Sequence, residues 1–271
     1  MKQDIKLHNK NKEFSWSVPS GPYHFFSDQE VKSFSDLGYV VVEDAFSAEE
    51  VNEVIEHIDP YEFNVTEALK GLDGGKFFIS RAEEITFTTH LVTQSDVLKE
   101  FSRHDVFSSI CGDLIGPDVR LYWDQAVYKK PGTKDEFPWH QDNGYTFIEP
   151  QAYLTCWVAL TDTDETNGCP CVVPGLHKRG TLHHENTELG YQIPLDSSES
   201  ITLPLKAGSI AIFSSLTPHR TGPNLSEGIR KSYILQYAPE GSKRLVSDSI
   251  SEEVNDETRQ FLILRDGKRV N

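Results

Sequence analysis

The chain has 271 residues, 26 of them lysine or arginine and 42 aspartate or glutamate, giving a formal net charge of −16 at pH 7. That balance repels nucleic acid and anionic membrane at long range and excludes both as partners; no run approaches the roughly 20 apolar residues of a membrane span. With 37% hydrophobic and 11% aromatic residues the chain reads as globular, and its length suits one catalytic domain.

Residues 1–20 show no apolar period and read as a flexible tail. Residues 1–12 are polar and lack the apolar stretch of a secretory signal, which makes the cytoplasm the expected compartment. Ser27 with Glu30, and Ser47 with Glu50, have capping-box spacing and mark two helix starts. Behind the second, Val51, Val54, Ile55 and Ile58 form a helical stripe. Between them Tyr39-Val40-Val41-Val42 reads as a short buried strand. Phe107, Ile110, Cys111 and Leu114 form a third helical stripe, stopped by Gly116 and Pro117.

After residue 116 the texture changes to short β-rich runs at 119–128, 153–160, 171–173, 201–205, 209–213 and 231–237. Ile201, Leu203 and Leu205 alternate with polar positions, the period of a half-buried strand. The expected fold is mainly β with flanking helices, organised as a double-sheet jelly roll. The expected layout is a single domain over 21–271: helix-rich to 116, a β core over about 117–240, and a C-terminal segment over 241–271. Within that segment, 242–258 reads as an exposed loop or weak helix. Four cysteines are too few for a disulfide framework, and Cys169-x-Cys171 reads as buried thiols rather than metal ligands.

The chemistry concentrates at Trp139-His140-Gln141-Asp142. In extended backbone, residues i and i+2 leave the same face, so His140 and Asp142 can reach one metal ion. His219, after the turn Thr217-Pro218, is the natural third ligand. Two imidazoles and a carboxylate on one face of an octahedron form the facial triad of non-haem iron(II) oxygenases, with open sites for cosubstrate and oxygen. Alone, H-x-D is a weak signal, and His183 and His184, in a polar run, read as solvated. Arg230 strengthens the reading. It starts a strand eleven residues beyond His219, and its planar fork suits a carboxylate.

Here the chain resembles the phytanoyl-CoA dioxygenase family of Fe(II)/2-oxoglutarate oxygenases, over residues 27–238. The likeness is carried by Leu37-Gly38-Tyr39-Val40-Val41-Val42, Trp139-His140-Gln141-Asp142, Cys156-Trp157-Val158-Ala159-Leu160, Asn167-Gly168-Cys169, Val173-Pro174-Gly175-Leu176-His177, Ala207-Gly208-Ser209-Ile210 and the stretch from His219 to Arg230. The resemblance implies a cupin-like double-stranded β-helix, iron held by His140, Asp142 and His219, dioxygen as oxidant, and a 2-oxoglutarate whose far carboxylate is bound by Arg230 with Thr221. It also implies that Gln141 and Trp157 line the cosubstrate pocket, although Trp157 is equally a core residue. Halogenases similar to this family lack the carboxylate ligand; its presence as Asp142 favours hydroxylation.

The substrate is expected to be a small molecule. Trp123, Tyr145 and Phe147 either wall its pocket or pack the barrel, and Arg220 either meets an anionic substrate group or points to solvent. The acidic balance speaks against a coenzyme A thioester. Two alternatives stand beside the hydroxylase: a catalytically silent 2-oxoglutarate and metal-binding domain, and a non-oxidative cupin-type metalloenzyme.

Overall fold

Helices begin where the capping signals stand in the computed structural model, which describes residues 5–195, 198–247 and 249–270. Helices α1 (Asp28–Leu37) and α2 (Ala48–Lys70) each start with a complete capping box. Ser47 Oγ accepts from the Glu50 N–H, and Glu50 Oε2 accepts from the Ser47 N–H at 2.8 Å. Helices α3 (Asp96–Phe101) and α4 (Asp105–Leu114) follow.

The strands that position the site are β1 (Tyr39–Val42), β2 (Ile85–Thr89), β3 (Val119–Lys129), β4 (Phe137–His140), β5 (Leu154–Ala159), β6 (Pro170–Val172), β7 (Ile201–Thr202), β8 (Ile210–Ser214), β9 (His219–Thr221) and β10 (Arg230–Pro239). They form two antiparallel sheets. The larger runs β1-β8-β5-β10-β3-β2 and the smaller β7-β6-β9-β4, the jelly-roll architecture expected above. β1 is a half-buried edge strand rather than a fully buried one.

The larger sheet is covered on both faces, and the period of two sorts its side chains. In β10, Tyr233, Leu235 and Tyr237 join β5's Cys156 and Val158 against Val54, Ile58, Phe101, Phe107 and Ile110 of the helices. The alternate residues turn inward, where Ile234, Trp157 and Phe213 meet Val172 of the smaller sheet and Leu203. Each large apolar side chain buried this way contributes about 1.5–3 kcal/mol, so the two cores hold the sheets apart at a fixed spacing and leave one end open.

Three segments differ from the sequence expectation. Of the supposed flexible tail, residues 1–4 lie outside the described residues, and the rest is tied down. Leu7 bridges to Leu182, Asn11 Nδ2 donates to the Arg179 and Thr181 carbonyls, and Trp16 Nε1 donates to Ser35 Oγ at 2.9 Å. The helix-rich region also contains β2 and a hairpin of Lys76–Phe77 with Ser80–Arg81. The segment 242–258 is exposed but holds short paired strands, Lys243–Leu245 and Ser251–Glu253, rather than a helix.

Candidate active site

β4 and β9 pair antiparallel with His140 directly opposite His219, which brings the two imidazole rings to 4.1 Å between centroids. Asp142 follows two residues after His140, at the start of a single helical turn. Its Oδ1 lies 3.6 Å from His140 Nε2 and 3.7 Å from His219 Nε2. One ligand atom from each residue falls within 4.8 Å of the others, and among the described residues no other His, Cys, Asp or Glu group is so arranged.

Hydrogen bonds fix the donor atoms. His140 Nδ1 lies 2.9 Å from the Pro138 carbonyl and His219 Nδ1 3.0 Å from the Thr217 carbonyl. A carbonyl can only accept, so both Nδ1 atoms carry the proton and both Nε2 lone pairs face the centre. Thr155 Oγ1 donates to Asp142 Oδ2 at 2.5 Å. Burial pushes the Asp142 carboxyl up, but His219, His140 and the Thr155 hydroxyl outweigh it and hold it at about 2. Burial and the neighbouring His140 push His219 down to about 4. An ionised carboxylate beside a neutral imidazole is the protonation state that binds a cation.

Arg230 begins β10 on its inward face and is 1% exposed. Nη1 donates to Ser232 Oγ at 2.8 Å, while Nε and Nη2 have no partner among the described residues. The guanidinium lies 5.3 Å from the Trp157 ring, and burial pushes its pKa down to about 10. Across the β3–β10 pairing stands Lys129, fully buried, with Nζ 2.5 Å from the Gly222 carbonyl and 3.4 Å from Thr221 Oγ1. Burial, then the Arg230 charge, push this amine down to about 6. A buried guanidinium with unpartnered N–H groups, beside a buried amine whose charged form burial disfavours, is costly unless an anion enters. The site therefore fits the far carboxylate of a dicarboxylic acid, and the triad fits a divalent ion.

A glycine shapes this pocket. A Cβ on Gly168, at φ +85°, would stand 2.4 Å from the Gly222 carbonyl oxygen, so the Asn167-Gly168-Cys169 turn packs directly on the turn that carries Thr221 and Gly222.

On the other side of the triad a cavity of about 580 Å³ opens to solvent, lined by His140 and Asp142 and by Trp123 and Tyr145, both of which the sequence had singled out. Thr221 shares the inward face of β9 with His219, and Trp157 backs Arg230. Three candidates are placed otherwise. Gln141 is fully buried with its carboxamide committed to the Gly180 and Leu216 carbonyls and the Leu182 N–H, so it braces a loop rather than lining the cosubstrate pocket. Phe147 is buried against His8, with ring centroids 5.1 Å apart, outside the cavity. Arg220, on the outward face of β9 and outside the cavity lining, pairs with Glu136 and lies over Trp139, with its side chain 29% exposed.

His184 is also not solvated. It accepts from the Gln141 N–H at 2.9 Å, and burial pushes it down to about 4. Sequence reading missed Lys129, Gln125, Gln236 and Thr155. The inward alternation Trp123, Gln125, Val127, Lys129 along β3 was the available signal. Cys169 and Cys171 are buried free thiols.

Two histidines and one aspartate on a jelly roll, beside a buried arginine with free N–H groups, define the class of site used by non-haem iron oxygenases. Residues 34–232 match the family model described as Phytanoyl-CoA dioxygenase (PhyH). The chain belongs to this family of Fe(II)/2-oxoglutarate-dependent oxygenases, whose members use ferrous iron, 2-oxoglutarate and dioxygen. A phytanoyl-CoA dioxygenase of Arabidopsis thaliana is 29% identical over 170 residues, covering 60% of each chain. An ectoine dioxygenase of Bordetella bronchiseptica is 27% identical over 239 residues, covering 78% of this chain and 75% of its own. The chain thus spans 60% of the length of that plant relative. Among solved structures, the non-haem α-ketoglutarate-dependent carbocyclase SnoK from nogalamycin biosynthesis superimposes with a TM-score of 0.67 at 20% identity, covering 93% of this chain and 97% of that one, which supports the fold.

Proposed function

We propose that this protein is an Fe(II)/2-oxoglutarate-dependent oxygenase that hydroxylates a C–H bond of a small molecule. The observation that carries the reading is Arg230, buried in the barrel with Nε and Nη2 unpartnered among the described residues. His140, Asp142 and His219 would hold the iron, and Arg230, Lys129 and Thr221 the far carboxylate of 2-oxoglutarate, with Trp157 behind it. Bound together, iron, 2-oxoglutarate and dioxygen supply an oxidant strong enough to break a C–H bond, with succinate and carbon dioxide released.

The protein's own residues do the positioning. The Pro138 and Thr217 carbonyls hold both imidazoles in the ligating tautomer, and Thr155 fixes one oxygen of Asp142 so that the other faces the metal position. Asp142 occupies the place a halide would need, which favours hydroxylation over halogenation. The apolar inner core around Trp157 and Phe213 excludes water from the cosubstrate side.

A non-oxidative cupin-type enzyme has no use for a buried unpaired guanidinium. A silent binding domain has no use for a cavity opening on the triad. The ectoine and phytanoyl-CoA relatives are named for small-molecule substrates, and this chain is read the same way. No helix among the described residues is long and apolar enough to cross a membrane; buried free thiols suit a reducing cytoplasm.

Succinate release with Fe(II) and 2-oxoglutarate tests the reading. His140→Ala is expected to abolish it. Arg230→Leu is expected to raise the KM for 2-oxoglutarate about 10- to 100-fold, the worth of charge-assisted hydrogen bonds of roughly 1.5–3 kcal/mol. An unchanged KM in Arg230→Leu would remove the cosubstrate from the site.

A further inference from the structure

The cavity on the open side of the triad is lined by seventeen residues, nine of them aromatic. Phe87, Phe137, Tyr145 and Tyr191 are among its walls, and Phe77 and Phe78 stand at its rim, 70% and 58% exposed. Among the described residues no lysine or arginine lines it, and Asp142, a member of the triad, is its one carboxylate.

From this lining we infer that the substrate is an uncharged, ring-bearing small molecule whose polar edge sets a hydrogen-bond acceptor beside a donor, read by Gln125 and Gln236. The inference takes from the proposed oxygenase reading what becomes of the ligand, but not how it binds.

Charge is the first discriminator. A phosphate, phosphonate or coenzyme A group entering this cavity would lose its water with no cation to replace it. An ammonium group would find aromatic faces, worth about 0.5–2 kcal/mol, less than the several kcal/mol needed to strip it of water. A neighbouring groove beyond Tyr145 holds two cations that are already engaged: Lys10 Nζ donates to the Leu245 carbonyl at 2.5 Å, and Arg244 pairs with Glu252 at 2.8 Å. Exposed Phe77 and Phe78 are accounted for if a flat apolar molecule covers them.

The polar edge is fixed by its own network. Gln125 Oε1 accepts from Trp123 Nε1 at 3.3 Å, which leaves Gln125 Nε2 as a donor with no partner in the described chain. Gln236 Nε2 donates to Thr155 Oγ1 at 3.2 Å, and the Thr155 proton is committed to Asp142, so Gln236 Oε1 is left as an acceptor. The two glutamines are diagonal neighbours on paired strands, Gln125 opposite Ile234 and Gln236 opposite Trp123. A carbonyl next to a hydroxyl, or a lactam, satisfies both.

Equilibrium dialysis of the full chain with Zn(II), which has no redox chemistry, and 2-oxoglutarate tests this. The probes are 1-hydroxyanthraquinone and naringenin as uncharged ring systems, methylphosphonate and hexanoyl-coenzyme A as anions, and choline as a cation. The uncharged probes are expected to bind at least about tenfold more tightly than the others. Gln125→Leu should lower their affinity about tenfold, and Phe78→Ala, at an exposed site that leaves folding intact, about threefold. Tighter binding of an anion or of choline, no binding of either uncharged probe, or affinities indifferent to both substitutions would overturn the inference. Since dialysis reads binding alone, absent succinate release would count against the oxygenase reading and leave this one standing.

Discussion

A single hydroxyl holds the metal-binding carboxylate in place. Thr155 sits between Asp142 and Gln236, donating to the first and accepting from the second. Thr155→Val keeps the shape and removes the bond; groups that orient a ligand from behind are worth about 10- to 100-fold in metal affinity. A Mn(II) titration should show that loss with the circular dichroism spectrum unchanged.

Lys129 makes a second prediction at this scale. Its folded pKa, about 6, lies below the ordinary lysine value, so it adds stability above the unfolded pKa that is lost as pH falls through the folded one. Without 2-oxoglutarate, stability should therefore decline between about pH 10 and 6. Lys129→Met should remove up to about 1.4 kcal/mol per pH unit of that slope, read from urea unfolding at pH 7 and 9. Equal slopes would mean the amine is not held neutral. The i, i+2 rule that joined His140 to Asp142 also turns Gln141 away from the metal, and the same alternation turns Arg220 out between His219 and Thr221. The direction of both side chains was thus readable from the chain; the cosubstrate role of Gln141 came instead from following the family likeness position by position.

Among the elements, those with a strong local signal form where the sequence places them. Both capping boxes do, and Ser47→Ala should destabilise the protein by about 1 kcal/mol in urea unfolding while leaving 2-oxoglutarate binding unchanged. β5 and β8, buried along their whole length, stood out as apolar runs. The Lys76–Arg81 region did not, because Phe77 and Phe78 are exposed at the cavity rim and give no buried period. The paired strands within 242–258 are three residues each, polar but for Leu245, and rest on backbone hydrogen bonds, which leave no periodic trace. Several of the family-like glycines are close-packing points: a Cβ on Gly38 would stand 2.4 Å from His177 Nδ1, joining two stretches far apart in the chain.

At the scale of the whole molecule, a protein of net charge −16 keeps an arginine and a lysine side chain fully inside its barrel, neither in an ion pair with an acidic group among the described residues. Neither the convergence of His140 and His219 nor the meeting of Lys129 and Arg230 has a local signature; both follow from strand register across the two sheets. The place of His219 after the turn Thr217-Pro218, and then the family likeness, pointed to the first; the second is seen only in the three-dimensional structure. Anaerobic equilibrium dialysis of 2-oxoglutarate tests the joint design most directly. Retention near stoichiometric with Fe(II), falling at least about tenfold without the metal, in His219→Ala and in Arg230→Leu, is the predicted result. Retention that is indifferent to metal and to both substitutions would contradict it.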